Sequence, residues 1–252
     1  MKIIISEKHT SEKQEIIRLI ENFNAEGEVL YKSRNQIKLF QLGERTINIK
    51  SFRVPNAVNK IAYKFFRKSK AERSFTYAQI LEKKGMGTPS PIGYVEEDTA
   101  LTFGKSFYIS EQIDSDLTYR ELVTDPNYPD HEYILRAFTR FTFELHEKEI
   151  QFLDHSPGNT LIQKNEGKYN FSLVDLNRMN FKQLTFEERM LNFSRLTPQK
   201  EMVEVMANEY AKLIDKTESE VFEKMWFYTR QFQEKFRKKR ALKKKLKFWK
   251  KN

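Results

Sequence analysis

The chain of 252 residues is 39% hydrophobic, 13% aromatic and 32% charged, a composition that builds a core and excludes a disordered or membrane-spanning chain. It has no cysteine, which rules out disulfides, thiolate metal sites and cysteine nucleophiles together. Of its 45 bases, ten fall in residues 237–252, where there is no acid, so the net charge of +10 belongs to that terminus and the remainder holds 35 bases against 35 acids.

Met1–Ile5 is apolar but too short and too soon followed by charge to be a signal peptide, and no run reaches the length of a bilayer crossing. A cytoplasmic chain is expected. Ser11, with Gln14 three residues on, can cap a helix carrying Ile16, Ile17, Ile20 and Phe23 at helical spacing. Val29–Tyr31, Ile37–Phe40 and Thr46–Lys50 are β-branched or aromatic segments separated by polar turns, which predicts a three-stranded antiparallel meander. Ser69-Lys70-Ala71-Glu72 has the form of a capping box and opens a helix that Gly85 can end, with Pro89 and Pro91 forbidding its continuation. Strands are then expected at Ile92–Val95 and Ser106–Ser110, the second running into Glu111-Gln112-Ile113.

Beyond that point the pattern turns helical. A helix from Asp130 or His131 should carry Tyr133, Ile134, Ala137, Phe138, Phe141 and Leu145 on one broad apolar face. Short strands at Thr160–Ile162 and Phe171–Val174 precede helices near 185–195 and 199–236. The reading is an α+β chain: a small β-rich N-terminal lobe with one inserted helix (1–112), a mainly helical C-terminal lobe (113–235) and a basic tail (236–252).

The residues that could carry chemistry cluster around two loops. Phe152 to Asn159 holds Asp154 and Asn159 five apart, and Asp175 closes an apolar strand sixteen residues after Asn159. Phosphoryl transfer needs a carboxylate for the attacking hydroxyl, oxygen ligands for Mg²⁺ and a cation on the phosphates of ATP. Asp154, Asn159, Asp175 and Lys50 supply that set. Singly, each has a plainer reading: Asp and Asn form turns, a strand-end lysine is a solvated edge charge, and Glu72 completes a capping box. Asp175 is the exception, since a carboxylate beside buried surface needs a compensating partner. The four histidines, His9, His131, His146 and His155, are too dispersed to form a zinc site on one helix.

A strand lysine, a helix glutamate, a strand leading to a hinge, a long apolar helix, an Asp/Asn loop, a hairpin and a strand-end Asp follow in the order of protein-kinase-like folds. From about Val29 to Leu196 the sequence resembles the bacterial lipopolysaccharide kinases, which phosphorylate inner-core sugars of lipid A. The resemblance rests on Ile49-Lys50, Ser69–Arg73, Thr88–Ile92, Leu153–Leu161 and Leu173–Met179. It implies a two-lobed protein-kinase-like fold using ATP and Mg²⁺. Lys50 would contact the phosphates with Glu72 as its partner, Asp154 would be the catalytic base, and Asn159 and Asp175 would hold magnesium. Glu111, Gln112 and Ile113 would form the hinge whose backbone meets adenine. The sequence departs from the kinase pattern in three places. Phe152-Leu153 stands for His-Arg, Asp175-Leu176-Asn177 for Asp-Phe-Gly, and the phosphate loop Lys32–Gln36 has no glycine, which gives Arg34 a part in holding the nucleotide.

Across Phe236–Trp249, Leu242, Leu246 and Trp249 recur at helical spacing among lysines, the form of a helix lying on an anionic membrane surface. The expected protein is thus peripheral on the inner face of the cytoplasmic membrane, with a lipid A-linked sugar (Kdo or heptose) as acceptor. Competing readings are a pseudokinase or scaffold, a kinase acting on protein side chains, and a nucleic-acid-binding protein using the tail. The neutral body gives this last reading no continuous basic track.

Overall fold

The computed structural model describes residues 1–33, 35–54, 68–98 and 103–249, with backbone only at 98, 103 and 245–249. Arg34 and the side chains of Leu246, Phe248 and Trp249 lie outside the described residues. The chain divides into two compact units, Met1–Asp114 with Ser172–Arg178, and Ser115–Phe171 with Met179–Asn252.

Unit 1 is built on a six-stranded antiparallel sheet of order β1-β5-β6-β4-β3-β2. Its strands are β1 (Lys2–Ile5), β2 (Glu28–Lys32), β3 (Gln36–Leu42), β4 (Arg45–Phe52), β5 (Pro91–Asp98) and β6 (Phe103–Glu111). The meander expected at 28–52 is β2-β3-β4, with Ile37 opposite Lys50 and Leu39 opposite Asn48. The apolar segment Met1–Ile5 supplies β1, which pairs with β5, Ile3 opposite Val95.

Successive residues of a strand face opposite sides. On one side Phe40, Leu42, Ile47, Ile49, Phe107 and Ile109 bury against Ile16, Leu19, Ile20 and Phe23 of helix α1 (Lys13–Glu21) and the turn after it. On the other, Phe52 and Tyr94 meet Ala71 and Phe75 of α2 (Lys70–Lys83). Lys50 shares the parity of Phe52, so it lies on the α2 side. Ser11 does not cap α1; it sits in a 3₁₀ segment, Glu7–Glu12, and α1 has no side-chain cap. An ion-pair cluster fixes that entry instead, Glu12 bonding His9 at 2.7 Å and pairing with Arg45. Helix α2 ends as expected at Gly85. At φ +67°, this residue lets its own N–H reach Glu82 O and that of Met86 reach Leu81 O, both at 2.9 Å, satisfying two terminal carbonyls.

Unit 2 is mainly helical. Its helices are α3 (Tyr119–Thr124), α4 (His131–Glu147), α5 (Phe186–Asn192), α6 (Lys200–Ala211) and α7 (Glu218–Trp249). Short strands β7 (Leu117–Thr118), β9 (Thr160–Asn165) and β10 (Lys168–Leu173) form one sheet, and β8 (Ile150–Phe152) pairs with β11 (Met179–Phe181). The buried stripe of α4 is Ile134, Leu135, Phe138, Thr139, Thr142, Leu145 and His146. Tyr133, expected on that face, is instead half exposed, at 50%. Through Ile134, Leu135 and Phe138 the buried stripe of α4 shares its core cluster with Tyr119, Phe193, Met206, Tyr210, Val221 and Met225.

The single helix expected over 199–236 is two. The break at 212–217 is enforced by Thr217, whose hydroxyl accepts from Glu220 N–H at 3.2 Å while the Glu220 carboxylate accepts from Thr217 N–H at 2.9 Å. That reciprocal cap starts a new helix. Helix α7 then runs through position 236 without interruption, and every side chain from Glu234 to Lys244 is exposed. Among the described residues no helix is long and apolar enough to cross a membrane.

Candidate active site

In unit 1 the sheet delivers Lys50 to a carboxylate. Lys50 Nζ lies 2.8 Å from Asp175 Oδ1, the lysine side chain being 13% and the aspartate 32% exposed, and the ammonium stands 5.5 Å from the Phe52 ring centre. The strand before Asp175 is tied into the same unit: Leu173 N–H donates to Gly87 O and Thr88 Oγ1 to Leu173 O, both at 2.9 Å. Asp175 itself has φ +60°, a left-handed conformation that costs a residue other than glycine roughly 1–2 kcal/mol. Asn177 Nδ2 donates to Asp175 Oδ1 at 2.6 Å. Oδ1 is therefore occupied twice, which turns Oδ2 into the oxygen available to a cation. The gross attraction at this separation is about 6 kcal/mol at an effective dielectric of 20, mostly cancelled by desolvation. The pair is better read as a held charge arrangement than as a stabilising device.

Glu72 does not join it. Ser69 Oγ accepts from Glu72 N–H at 3.0 Å, but the carboxylate does not return to close a capping box; it reaches Lys68 at 3.5 Å and Lys2 at 3.7 Å. Among the described residues no ion pair links Glu72 to Lys50, whose partner is Asp175. A first-turn position on α2 sends the carboxylate toward the β1 edge.

The hinge segment spends two of its three N–H groups internally. Glu111 N–H donates to Ser90 O at 2.9 Å and Gln112 N–H to Thr46 O at 3.0 Å. Gln112 Oε1 accepts from Asn48 at 3.1 Å, and its Nε2 donates to Ile113 O at 3.0 Å. An open cavity of about 820 Å³ in this unit is lined by Gln41, Thr46, Glu111, Gln112 and Asp114 among others, and by neither Lys50 nor Asp175.

In unit 2, β8 is wholly buried and leads into the Asp154–Asn159 loop. The loop closes on itself through Asn159 N–H to Ser156 O at 2.9 Å and Asn159 Nδ2 to Asp154 O at 2.8 Å. With its amide nitrogen so used, Asn159 keeps Oδ1 as a hard oxygen donor. A Cβ at Gly158 would sit 2.5 Å from Arg120 Nη2, the mobile end of an exposed side chain that can move aside. His155 anchors the loop from inside: it is fully buried, 5.3 Å from the Phe138 ring and 5.7 Å from that of Phe152, and burial pushes it down to about 3. It is a neutral packing residue.

Two side chains not foreseen from the sequence grip this loop. Asn192, at the end of α5, donates to Phe152 O at 2.7 Å, and Arg195 Nη1 donates to Leu153 O at 3.0 Å while lying 2.6 Å from Asp154 Oδ1. Since Asn192 gives its nitrogen to Phe152, its Oδ1 accepts from His146 Nε2 at 3.1 Å, and His146 Nδ1 accepts from the Tyr210 hydroxyl at 2.9 Å. Burial lowers His146 to about 4 and raises Tyr210 to about 12, so both stay neutral in these roles. The sequence carried one signal for them, an asparagine and an arginine inside the apolar run Met190–Leu196.

Among the described residues there is no group of three or more His, Asp or Glu side chains fit to hold a metal ion. Within their own units, Asn159 Oδ1 and Asp175 Oδ2 are each a hard oxygen donor of the kind Mg²⁺ accepts alongside phosphate oxygens and water.

The chain is similar in structure to WaaP solved in complex with acyl carrier protein, at a TM-score of 0.63 and 13% identity over 94% of this chain and 99% of that one. A microcompartment-associated aminopropanol kinase aligns at a TM-score of 0.50 and 12% identity over 86% of each chain. At these identities the likeness establishes the fold, which is protein-kinase-like. No curated protein sequence matches the chain. The model of the lipopolysaccharide kinase (Kdo/WaaP) family matches residues 38–216, and the chain belongs to that family.

Proposed function

We propose that this protein transfers the γ-phosphoryl group of ATP to a hydroxyl of Kdo or heptose in the inner core of lipid A. The observation that carries the reading is the contact of Lys50 with Asp175 at 2.8 Å, a phosphate-binding cation and a metal-binding carboxylate held together inside a chain of a kinase family. Asp154 accepts the proton of the sugar hydroxyl, Lys50 positions the phosphates, and the N–H of Ile113, the hinge donor not spent on Ser90 or Thr46, is assigned to adenine. Mg²⁺, held by Asn159 and Asp175, would neutralise the charge of the phosphates. Arg34, in a loop without glycine, is assigned a second phosphate contact.

The exposed basic stretch of α7 suits an anionic membrane surface, where each base contributes roughly 1 kcal/mol, and lipid A is anchored in such a surface. The acyl carrier protein seen with WaaP makes a carrier protein of that kind the second partner to test. The deciding assay is phosphate transfer from labelled ATP to lipid A carrying Kdo, with the product read by mass spectrometry. Asp154→Asn should abolish transfer while melting as the parent does, and near-normal transfer by that variant would refute the assignment.

A further inference from the structure

Family kinases in the protein-kinase pattern place an arginine directly before the catalytic aspartate; this chain has Leu153 there. A guanidinium nevertheless reaches Asp154, from the turn between α5 and α6. Arg195 Nη1 is 2.6 Å from Asp154 Oδ1 and donates to Leu153 O at 3.0 Å. Three residues earlier Asn192 holds Phe152 O at 2.7 Å. One turn of chain thus fixes three consecutive residues, 152, 153 and 154, by two carbonyls and a side chain. The turn is itself fixed, since Phe193 and Leu196 are buried and Asn192 is held by His146.

The guanidinium is seated from a second side. Its central carbon stands 5.5 Å from the ring centre of Phe232 on α7, within the range where a cation is attracted to an aromatic face. Salt-bridge and ring contacts together leave the Arg195 side chain 32% and Asp154 22% exposed. Arg195 takes Oδ1, which assigns Oδ2 to the acceptor hydroxyl.

We propose that Arg195 is a positioning residue for phosphoryl transfer, fixing the Asp154 carboxylate so that Oδ2 meets the acceptor hydroxyl, with Phe232 of α7 holding the guanidinium in place. The proposal rests on the reading of Asp154 as the base. A displacement of about 1 Å at a reacting group costs on the order of 100-fold in rate, and that is the loss expected when the clamp is removed. Binding of ATP, assigned to Lys50 and the hinge, should not change.

The test measures kcat and KM for ATP, with lipid A carrying Kdo as acceptor, for Arg195→Ala, Arg195→Lys, Phe232→Leu and Asp154→Asn. Arg195→Ala should lose kcat by about 100-fold at unchanged KM for ATP, and millimolar guanidinium chloride should restore part of it, which a merely structural role would not allow. Arg195→Lys, keeping the charge but not the two-point grip, should lose less, and Phe232→Leu should lose a few-fold. Should Arg195→Ala fail to fold, the lysine and leucine variants carry the test by the same split of kcat from KM. Undiminished kcat in the arginine variants beside an inactive Asp154→Asn overturns this proposal alone. An active Asp154→Asn overturns the parent reading and this one with it.

Discussion

Acid should unfold this protein through two buried imidazoles in unit 2. Burial holds His155 down to about 3 and His146 to about 4, against 6.5 for a free histidine. Between those values the unfolded chain takes up the proton and the folded chain does not. Stability contributed by the neutral rings is therefore complete above pH 6.5 and is lost as pH falls toward 4. By linkage, each ring costs about 2 kcal/mol at pH 5, about 4 kcal/mol together, against a total that is typically 5–15 kcal/mol for a folded domain. Paired carboxylates add their own losses mostly below that pH, so the interval from 6.5 to 5 isolates the histidines. Urea denaturation at several pH values in that interval measures the slope. Among the described residues His155 has no hydrogen-bond partner for either ring nitrogen, so His155→Leu should fold at neutral pH and lose only about half as much stability on acidification. If that variant and the parent fall with the same slope, the buried ring of His155 is not the source.

Other outcomes follow from the site and from α7. Lys50→Met leaves Asp175 without its counter-charge at 2.8 Å; turnover should fall by roughly two orders of magnitude, and calorimetry with Mg²⁺ should show weakened ATP binding. A chain that bound no ATP before mutation would instead favour a scaffold. Exchanging Lys243, Lys244 and Lys245 for glutamine should weaken sedimentation with anionic vesicles and reduce its salt sensitivity, while activity on a detergent-dispersed acceptor stays at the parent level. Retention of these variants on vesicles would move the membrane contact elsewhere.

The strands β2 to β6 and helix α2 were legible because their apolar spacing and caps are local signals. Gly85 after a helical run and the alternation through Ile47, Ile49 and Phe52 each report a nearest-neighbour preference. The break before α7 was equally local but was missed, since the Thr217/Glu220 cap interrupts apolar spacing that continues on both sides. What could not be read was pairing across the chain. Asp175 stood out as a carboxylate needing a partner, but nothing in the sequence chose Asp175 over Glu72 as the carboxylate that Lys50 meets. Likewise Arg195 and Asn192 gain meaning only once the turn after α5 comes to lie on the end of β8. Capping chemistry is written in adjacent letters, whereas a clamp between distant turns depends on how helices pack.

Ser172–Arg178 has a consequence for how this protein is made. The short segment completes unit 1, yet it is synthesised only after Ser115–Phe171 of unit 2. A nascent chain ending near residue 114 would contain every strand of the sheet and still leave Lys50 without Asp175. Dissecting the gene at that boundary would yield a fragment lacking its own acidic group, and supplying residues 172–178 as a separate peptide is the complementation that would restore it.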